Sequence, residues 1–264
     1  MKQTDYCRLI NDVFRSHVYG DIDIFTPQSF DDFVTRNDID LSRALFAYDG
    51  SRPIGTICYG QRGHRAWFSL MGILPEYRKD GLGRNLFLQT IDAIVASGGT
   101  SIEFEVVQRN TAIQRMVHGY GFELIGELQS WARPARRAAS NGLVPRKHRL
   151  ADVAGVVAAV PACWQREASA VARAAQSVLL EVPGAYAFVR LRDDFAYVLD
   201  AGASSYDAAG ELLEQFDRRI PYDVTLFNEP AGSALSGALH ARKWRIVERQ
   251  FRMINASVAQ QRLD

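Results

Sequence analysis

An α/β fold is predicted, with a mixed central sheet flanked by helices and followed by a second, smaller unit. Three observations predict it. Helical and strand periodicities alternate along the chain. An almost unbroken apolar run at Ala66–Leu74 reads as a strand covered on both faces. The strand, helix, strand, helix, strand order of residues 66–128 returns after residue 185, as a degenerate internal duplication would make it.

The elements follow in order. Tyr6, Leu9, Ile10, Val13 and Phe14 give residues 5–17 a helical stripe that Thr4 or Asp5 can cap. Pro27-Gln28-Ser29 opens a second helix through Phe30, Phe33 and Val34. Strands at Arg43–Tyr48 and Ile54–Tyr59 flank a turn at Asp49-Gly50-Ser51-Arg52-Pro53. After the Ala66–Leu74 strand, Leu82, Leu86, Phe87, Ile91, Ile94 and Val95 form a helical stripe that Gly98-Gly99 stops. Ile102, Phe104 and Val106 alternate with Glu103 and Glu105 in the next strand. A helix from about Thr111 to Tyr120 and a strand at Phe122–Leu128 complete the first half. In the second half, helical segments fill Ala151–Gln176. Strands are expected at Ala185–Leu191, Phe195–Leu199, Asp223–Phe227 and Trp244–Met253, with helices at Tyr206–Arg218 and Ser233–Ala241. Arg133–Arg149 has no periodicity and is rich in bases and turn formers. The domains are therefore drawn as 1–132 and 147–264, joined by a linker at 133–146.

Composition narrows the function classes. With 264 residues, 47% apolar and 23% charged, the chain has the makeup of a globular protein with room for two cores. A formal net charge of +1 supplies no global field for nucleic acid or a membrane surface, and neither is an expected partner. No apolar run is long enough to span a bilayer, and the N-terminus carries no apolar leader. Cys7, Cys58 and Cys163 are odd in number and widely spaced, which fits neither a disulfide framework nor a zinc site. A reducing cytoplasm and no metal are the expectations. Oligomeric state has no sequence signature, a homodimer included.

The strongest local signal is Ile73-Leu74-Pro75-Glu76-Tyr77-Arg78-Lys79-Asp80-Gly81-Leu82-Gly83-Arg84, between a central strand and a helix. The first turn of a helix presents N–H groups without intrahelical partners along the helix dipole, a ready site for a phosphate or pyrophosphate. Gly81 and Gly83 lack Cβ, and Arg78, Lys79 and Arg84 add positive charge. Taken alone, R-x-x-G-x-G also fits a glycine-rich helix start with surface arginines. The spacing matches neither the dinucleotide-binding G-x-G-x-x-G nor the P-loop.

From about Arg43 to Leu128 the chain resembles the GCN5-related N-acetyltransferase (GNAT) superfamily. Ile73-x-Pro75-x-x-Arg78-x-x-Gly81-x-Gly83 matches its pyrophosphate motif. Glu105-Val106, Asn110, Ile113, Met116 and Gly121-Phe122 match the following strand and helix. The resemblance implies acetyl-CoA as cosubstrate. It implies that the main chain of Met71, Gly72 and Ile73 pairs with the pantetheine arm, that Arg78, Lys79, Asp80, Gly81, Leu82 and Gly83 cradle the pyrophosphate with Arg84 nearby, and that Asn110 approaches the arm. It also implies that strands splay here to admit the arm. The second half resembles the degenerate second unit of tandem members: Asp200-Ala201-Gly202-Ala203-Ser204-Ser205-Tyr206-Asp207 stands where the glycine motif would fall, without an arginine, and Gly232 stands near the position of the Asn. Trp164, Tyr186, Tyr206, Trp244 and Phe251 could line a pocket there, although aromatics at this density are more often core.

Transfer of an acetyl group to an amine needs a neutral nucleophile and a proton for the departing thiolate. Glu105 holds the position of the general base in part of the family, and Glu103 lies on the same strand face; a half-exposed carboxylate paired with a cation is the other reading of Glu105. The family's usual acid, a Tyr, is replaced by Val117, which cannot donate a proton. Tyr120, three residues on, returns to roughly the same helix face and is the candidate acid, with helix-end side-chain packing as the alternative. The expected function is an N-acetyltransferase acting on a primary amine of a small molecule or peptide by direct attack in a ternary complex. A non-catalytic acyl-CoA sensor is the alternative that Val117 motivates.

Overall fold

A computed structural model describes residues 2–15, 24–78, 81–136, 142–156, 162–192 and 195–258, and the chain divides into two compact units. The first takes in residues 1–105, 111–123 and 253–264, and the second 106–110 and 124–252. The units therefore interleave in sequence. Residues 124–133 lie with the second unit and 253–258 return to the first, whereas the composition of the chain drew one break at 133–146.

In the first unit, α1 (Gln3–Phe14) starts earlier than its apolar stripe suggested. Lys2 is the N-cap and makes no side-chain bond, so neither Thr4 nor Asp5 caps the helix; Asp5 sits in the first turn, where the dipole favours a carboxylate. The second helix, α2 (Pro27–Arg36), begins at a capping box in which Thr26 and Ser29 bond each other's backbone N–H groups. The hairpin β1 (Leu45–Asp49) and β2 (Arg52–Ile57) turns through Gly50 at φ 56°.

The apolar run 66–74 is two strands. Arg65–Phe68 (β4) pairs antiparallel with Tyr59–Arg62 (β3), and Gly72–Ile73 (β5) pairs antiparallel with β2. Helix α3 (Leu82–Ala96) then leads to β6 (Ser101–Val107), which runs parallel to β4 in the register Arg65↔Ser101 through Phe68↔Phe104. The unit closes with α4 (Thr111–His118) and Gly121 at φ 71°. Phe68, Phe87, Phe104 and Phe122 pack with ring centroids 5.0–6.1 Å apart between α3 and the sheet. From the C-terminal end, Asn255 Nδ2 donates to Tyr120 O and Val258 N–H to Thr100 O.

The second unit contains β7 (Glu123–Arg133, longer than predicted), α5 (Leu150–Ala154), α6 (Ala168–Arg173), β8 (Val178–Val182), β9 (Ala185–Leu191), β10 (Phe195–Ala203), α7 (Tyr206–Arg219), β11 (Asp223–Pro230), α8 (Ala234–Ala241) and β12 (Arg245–Asn255). Its sheet runs β12-β7-β11-β10-β9-β8, mixed like the first, with β10 and β11 parallel. Strand β8 was not foreseen. Its hairpin with β9 turns at Pro183-Gly184, with Gly184 at φ 77°, a punctuation between two apolar runs that marks such a turn. The helical filling expected for 151–176 reduces to α5, a one-turn 3₁₀ helix at Trp164–Arg166 and α6. Within the aperiodic stretch Arg133–Arg149, Arg133 ends β7 fully buried, Arg146 bridges Ser177 and His148 is buried. Trp164 and Trp244 are core residues and Tyr206 is exposed. All three cysteines are buried and outside any disulfide, and no described helix is long and apolar enough to cross a membrane.

Tyr6 makes a test of the first core. It is buried edge-on against Phe30 and Phe46, and its hydroxyl accepts from Thr56 Oγ1 at 2.9 Å. Burial pushes its pKa well above 10.0, with Cys58 adding to the rise and the Thr56 bond opposing it. The folded state thus keeps a proton that the unfolded chain gives up above pH 10.0, so this contribution is whole below that pH and is lost as pH rises beyond it. Urea melts at about pH 9 and about pH 11 should show a smaller loss of stability for Tyr6→Phe than for the unaltered chain.

Candidate active site

The site is built where β4 and β6 part. Their parallel ladder holds four residue pairs and ends at Phe68↔Phe104. Beyond it Ser69–Met71 break the strand, and Gly72 and Ile73 pair with Thr56 and Gly55 on the far side, while β6 runs on through Glu105. Among the described residues no pairing joins Gly72 or Ile73 to β6, so one edge of β5 faces a slot. This is the splay that the resemblance implied and the sequence could not display. Met71 and Gly72 are half-buried and Ile73 is buried.

Next in the chain comes a one-turn 3₁₀ helix at Pro75–Tyr77, then Arg78; Lys79 and Asp80 lie outside the described residues. Gly81 is the N-cap of α3 at φ 76°, with no side-chain cap bond, and the first bond of the helix runs from Asn85 N–H to Gly81 O. By helix geometry the N–H groups of Leu82, Gly83 and Arg84 stand ahead of that ladder. The two glycines differ in why they are glycines. Gly81 occupies a left-handed conformation that a Cβ strains, though the space around it is open. At Gly83 a Cβ would meet only Ile73 and Met71 at 3.7 Å, ordinary contact, so neither backbone nor neighbours require glycine there.

The cations divide their work. Arg78 Nε donates to Ile73 O at 2.9 Å and Nη2 to Val13 O at 3.3 Å, tying the loop to β5 and α1. Burial draws its pKa below the ordinary guanidinium value, with Glu76 opposing. Arg84 Nε donates to Tyr120 Oη at 2.6 Å, and the guanidinium lies 5.7 Å from the Tyr120 ring centroid. Tyr120 packs its ring on Phe87, also at 5.7 Å. Val117, at the family's usual acid position, is fully buried.

On the other face of the sheet, Glu105 Oε2 accepts from Trp67 Nε1 at 2.5 Å and Glu103 Oε1 accepts from Arg65 Nη2 at 2.6 Å. Glu103 is buried and Glu105 half-buried. The strand face predicted to hold two neighbouring carboxylates does so, but each is engaged by its own donor from β4. Trp67 was not singled out from the sequence. Finding it needs the β4–β6 register, which a parallel crossover hides from local pattern. Phe33 of α2 lies over Trp67 at 6.2 Å, with Phe25 behind it. Asn110 immediately precedes α4, with its N–H bonded to Val107 O at 2.9 Å. A separate surface cleft of about 460 Å³, between α1 and the β1–β2 turn, holds none of the predicted site residues.

Residues 10–122 match a family model described as the acetyltransferase (GNAT) family. A GCN5-related N-acetyltransferase from Sphaerobacter thermophilus is similar over 97% of this chain and 92% of its own, at 11% identity and a TM-score of 0.65. A tandem GNAT protein from the clavulanic acid biosynthesis pathway is similar over 96% and 94%, at 12% identity and a TM-score of 0.60. A GCN5-related N-acetyltransferase from Anabaena variabilis ATCC 29413 is similar over 97% and 71%, at 18% identity and a TM-score of 0.52. At these identities the likeness is one of fold.

The contrast between the glycines is measurable by chemical denaturation. Gly81→Ala should lose about 1–2 kcal/mol of stability to left-handed strain, whereas Gly83→Ala should gain about 0.5–1 kcal/mol from helix propensity.

Proposed function

On the premise that this chain belongs to the GNAT superfamily, through the domain at residues 10–122, we propose that it transfers an acetyl group from acetyl-CoA to a primary amine of a small molecule or peptide. The observation that carries the reading is the start of α3: a helix N-terminus with a left-handed glycine as its N-cap and a second glycine in its first turn, following a strand whose outer edge has no partner strand among the described residues. The main chain of Met71, Gly72 and Ile73, at the edge of β5 turned away from β2, suits an extended amide-bearing arm laid along it like an added strand. The N–H groups of Leu82, Gly83 and Arg84, with the guanidinium of Arg84, suit a pyrophosphate. Lys79, Asp80 and Asn110 belong to the same proposed binding set by their place in the motif. Arg78, already tied to two carbonyls, holds the loop in shape.

Bound acetyl-CoA supplies the activated acetyl thioester; the chain's own residues handle the proton. Glu105 is the proposed base. It takes a proton from the incoming ammonium, directly or through a water, so that a neutral amine attacks in a ternary complex. Trp67 holds one oxygen of that carboxylate, which fixes its orientation. Phe33, Phe25 and Trp67 give the same face an aromatic lining suited to the apolar part of an amine. Tyr120, whose hydroxyl oxygen accepts from Arg84 Nε, is assigned to bracing that guanidinium, and the leaving thiolate takes its proton from solvent. Cysteines buried and outside any disulfide suit the proposed reducing, cytoplasmic setting.

Thiol release from acetyl-CoA with a panel of primary amines tests the reading. Glu105→Gln should lower kcat by about 10²-fold or more with coenzyme A affinity unchanged. Gly83→Ala, folded and slightly more stable, should weaken coenzyme A binding about tenfold. Tyr120→Phe should raise the KM for acetyl-CoA and spare kcat. Tight coenzyme A binding with no thiol release from any amine would favour the non-catalytic sensor.

A further inference from the structure

The second unit repeats the geometry of the slot but not its contents. Its parallel pair, β10 with β11, also holds four residue pairs, Phe195↔Asp223 through Val198↔Leu226. Beyond them β10 keeps its pairing with β9 and β11 its pairing with β7, and among the described residues no further pairs join β10 to β11. Counted from the last parallel pair, Ala201-Gly202 stand where Met71-Gly72 stand in the first unit. The opening is filled by one side chain. Arg166, from the 3₁₀ turn at Trp164–Arg166, is buried to 4% exposure. Its Nη2 donates to Ala201 O on one strand and its Nη1 to Asn228 O, at 3.0 Å, on the other.

Two carboxylates complete the cage. Arg166 Nε bonds Asp200 Oδ1 and Nη1 bonds Glu229 Oε2, each at 2.7 Å. Tyr186 Oη donates to the second oxygen of Asp200 at 2.7 Å, and Ser233 Oγ to the second oxygen of Glu229 at 2.6 Å. Burial pulls the pKa of Arg166 down, but Glu229 and Asp200 together more than offset it, so the pKa lies above the ordinary guanidinium value. The helix that follows is closed as well. The N-cap of α7, Ser205, accepts from Ala208 N–H at 3.1 Å, and Asp207 lies in the first turn, where α3 has a glycine and an arginine. Ser205 also follows Val198 by seven positions, against thirteen from Phe68 to Gly81, so the phosphate loop is missing.

We infer that Arg166 occupies, in the second unit, the slot that the coenzyme arm takes in the first, so that one chain holds one coenzyme site. A coenzyme there would have to displace a buried ion from two carboxylates and then set its phosphates against a capped, acidic helix start. The inference rests on the proposed reading of the first unit.

Calorimetric titration with coenzyme A separates the two. One equivalent per chain, weakened by Gly83→Ala, is the expected result. Two equivalents overturn this inference and leave the first reading standing, whereas none overturns the first reading and this one with it. Arg166→Ala tests the filling independently. The Tm should fall by about 10 °C, and millimolar guanidinium chloride, unlike sodium chloride at the same concentration, should restore part of the loss by entering the vacated cage. Arg166→Lys, which keeps the charge without the fork, covers the case in which the alanine variant does not fold, and should lie between. An Arg166→Lys or Arg166→Ala chain as stable as the original, or indifferent to guanidinium, would overturn the filling.

Discussion

Peptide groups at the parting of two parallel strands must find partners, and this requirement organises both halves of the chain. A ladder that stops after four pairs leaves N–H and C=O groups on both strands facing an opening that neither strand can close. Buried unpaired peptide groups are costly, so such an opening persists only if something polar and elongated fills it. The two units answer the same demand differently. In the first, among the described residues, no strand pairs with the outer edge of β5, and the helix start that follows has a glycine as its N-cap. The second sends in a guanidinium that reaches a carbonyl on each strand and brings its own counter-ions.

Opening the first slot depends on how the strands beside it are broken. Cys58 interrupts the β2–β3 run and Ser69–Met71 interrupt β4–β5, with Ser69 N–H bonded to Cys58 O at 3.0 Å where the two breaks meet. Each half-strand then follows a different sheet. Arg78 secures the result by bonding Ile73 O and Val13 O, which ties the loop after β5 to the helix before it. In the proposed reading, the groups that meet a ligand are the first main-chain N–H groups of α3 and the guanidinium of Arg84.

The two faces of the first sheet carry different chemistry for the same reason that strands alternate. Ile102, Phe104 and Val106 of β6 are buried against apolar neighbours, while Glu103 and Glu105 point the other way. Because β4 runs parallel in register, Arg65 and Trp67 fall on that polar face and each supplies a donor. Arg65 forms an ion pair with Glu103 and the Trp67 indole bonds Glu105, which is the proposed base.

Much of this could be read from residues alone, because it rests on neighbours in the chain. The helical stripe from Leu82, the alternation around Glu105, the capping of α2 near Pro27 and the Gly81–Gly83 helix start are all encoded within a few positions. Local pattern also overreached where a break was silent: the apolar run 66–74 has no proline or glycine before Gly72, so nothing marked the parting at Ser69. The start of α1 and the strand at Val178–Val182 were missed on similarly weak local signals. Partners distant in sequence lay beyond any such reading. Trp67 meets Glu105 across a crossover, Arg84 meets Tyr120 between two helices, and Arg166 meets Asp200 and Glu229 from 34 and 63 positions away. Periodicity reports which face of an element is buried, but only the folded sheet fixes what stands opposite, and it is that pairing which leaves one slot open and fills the other.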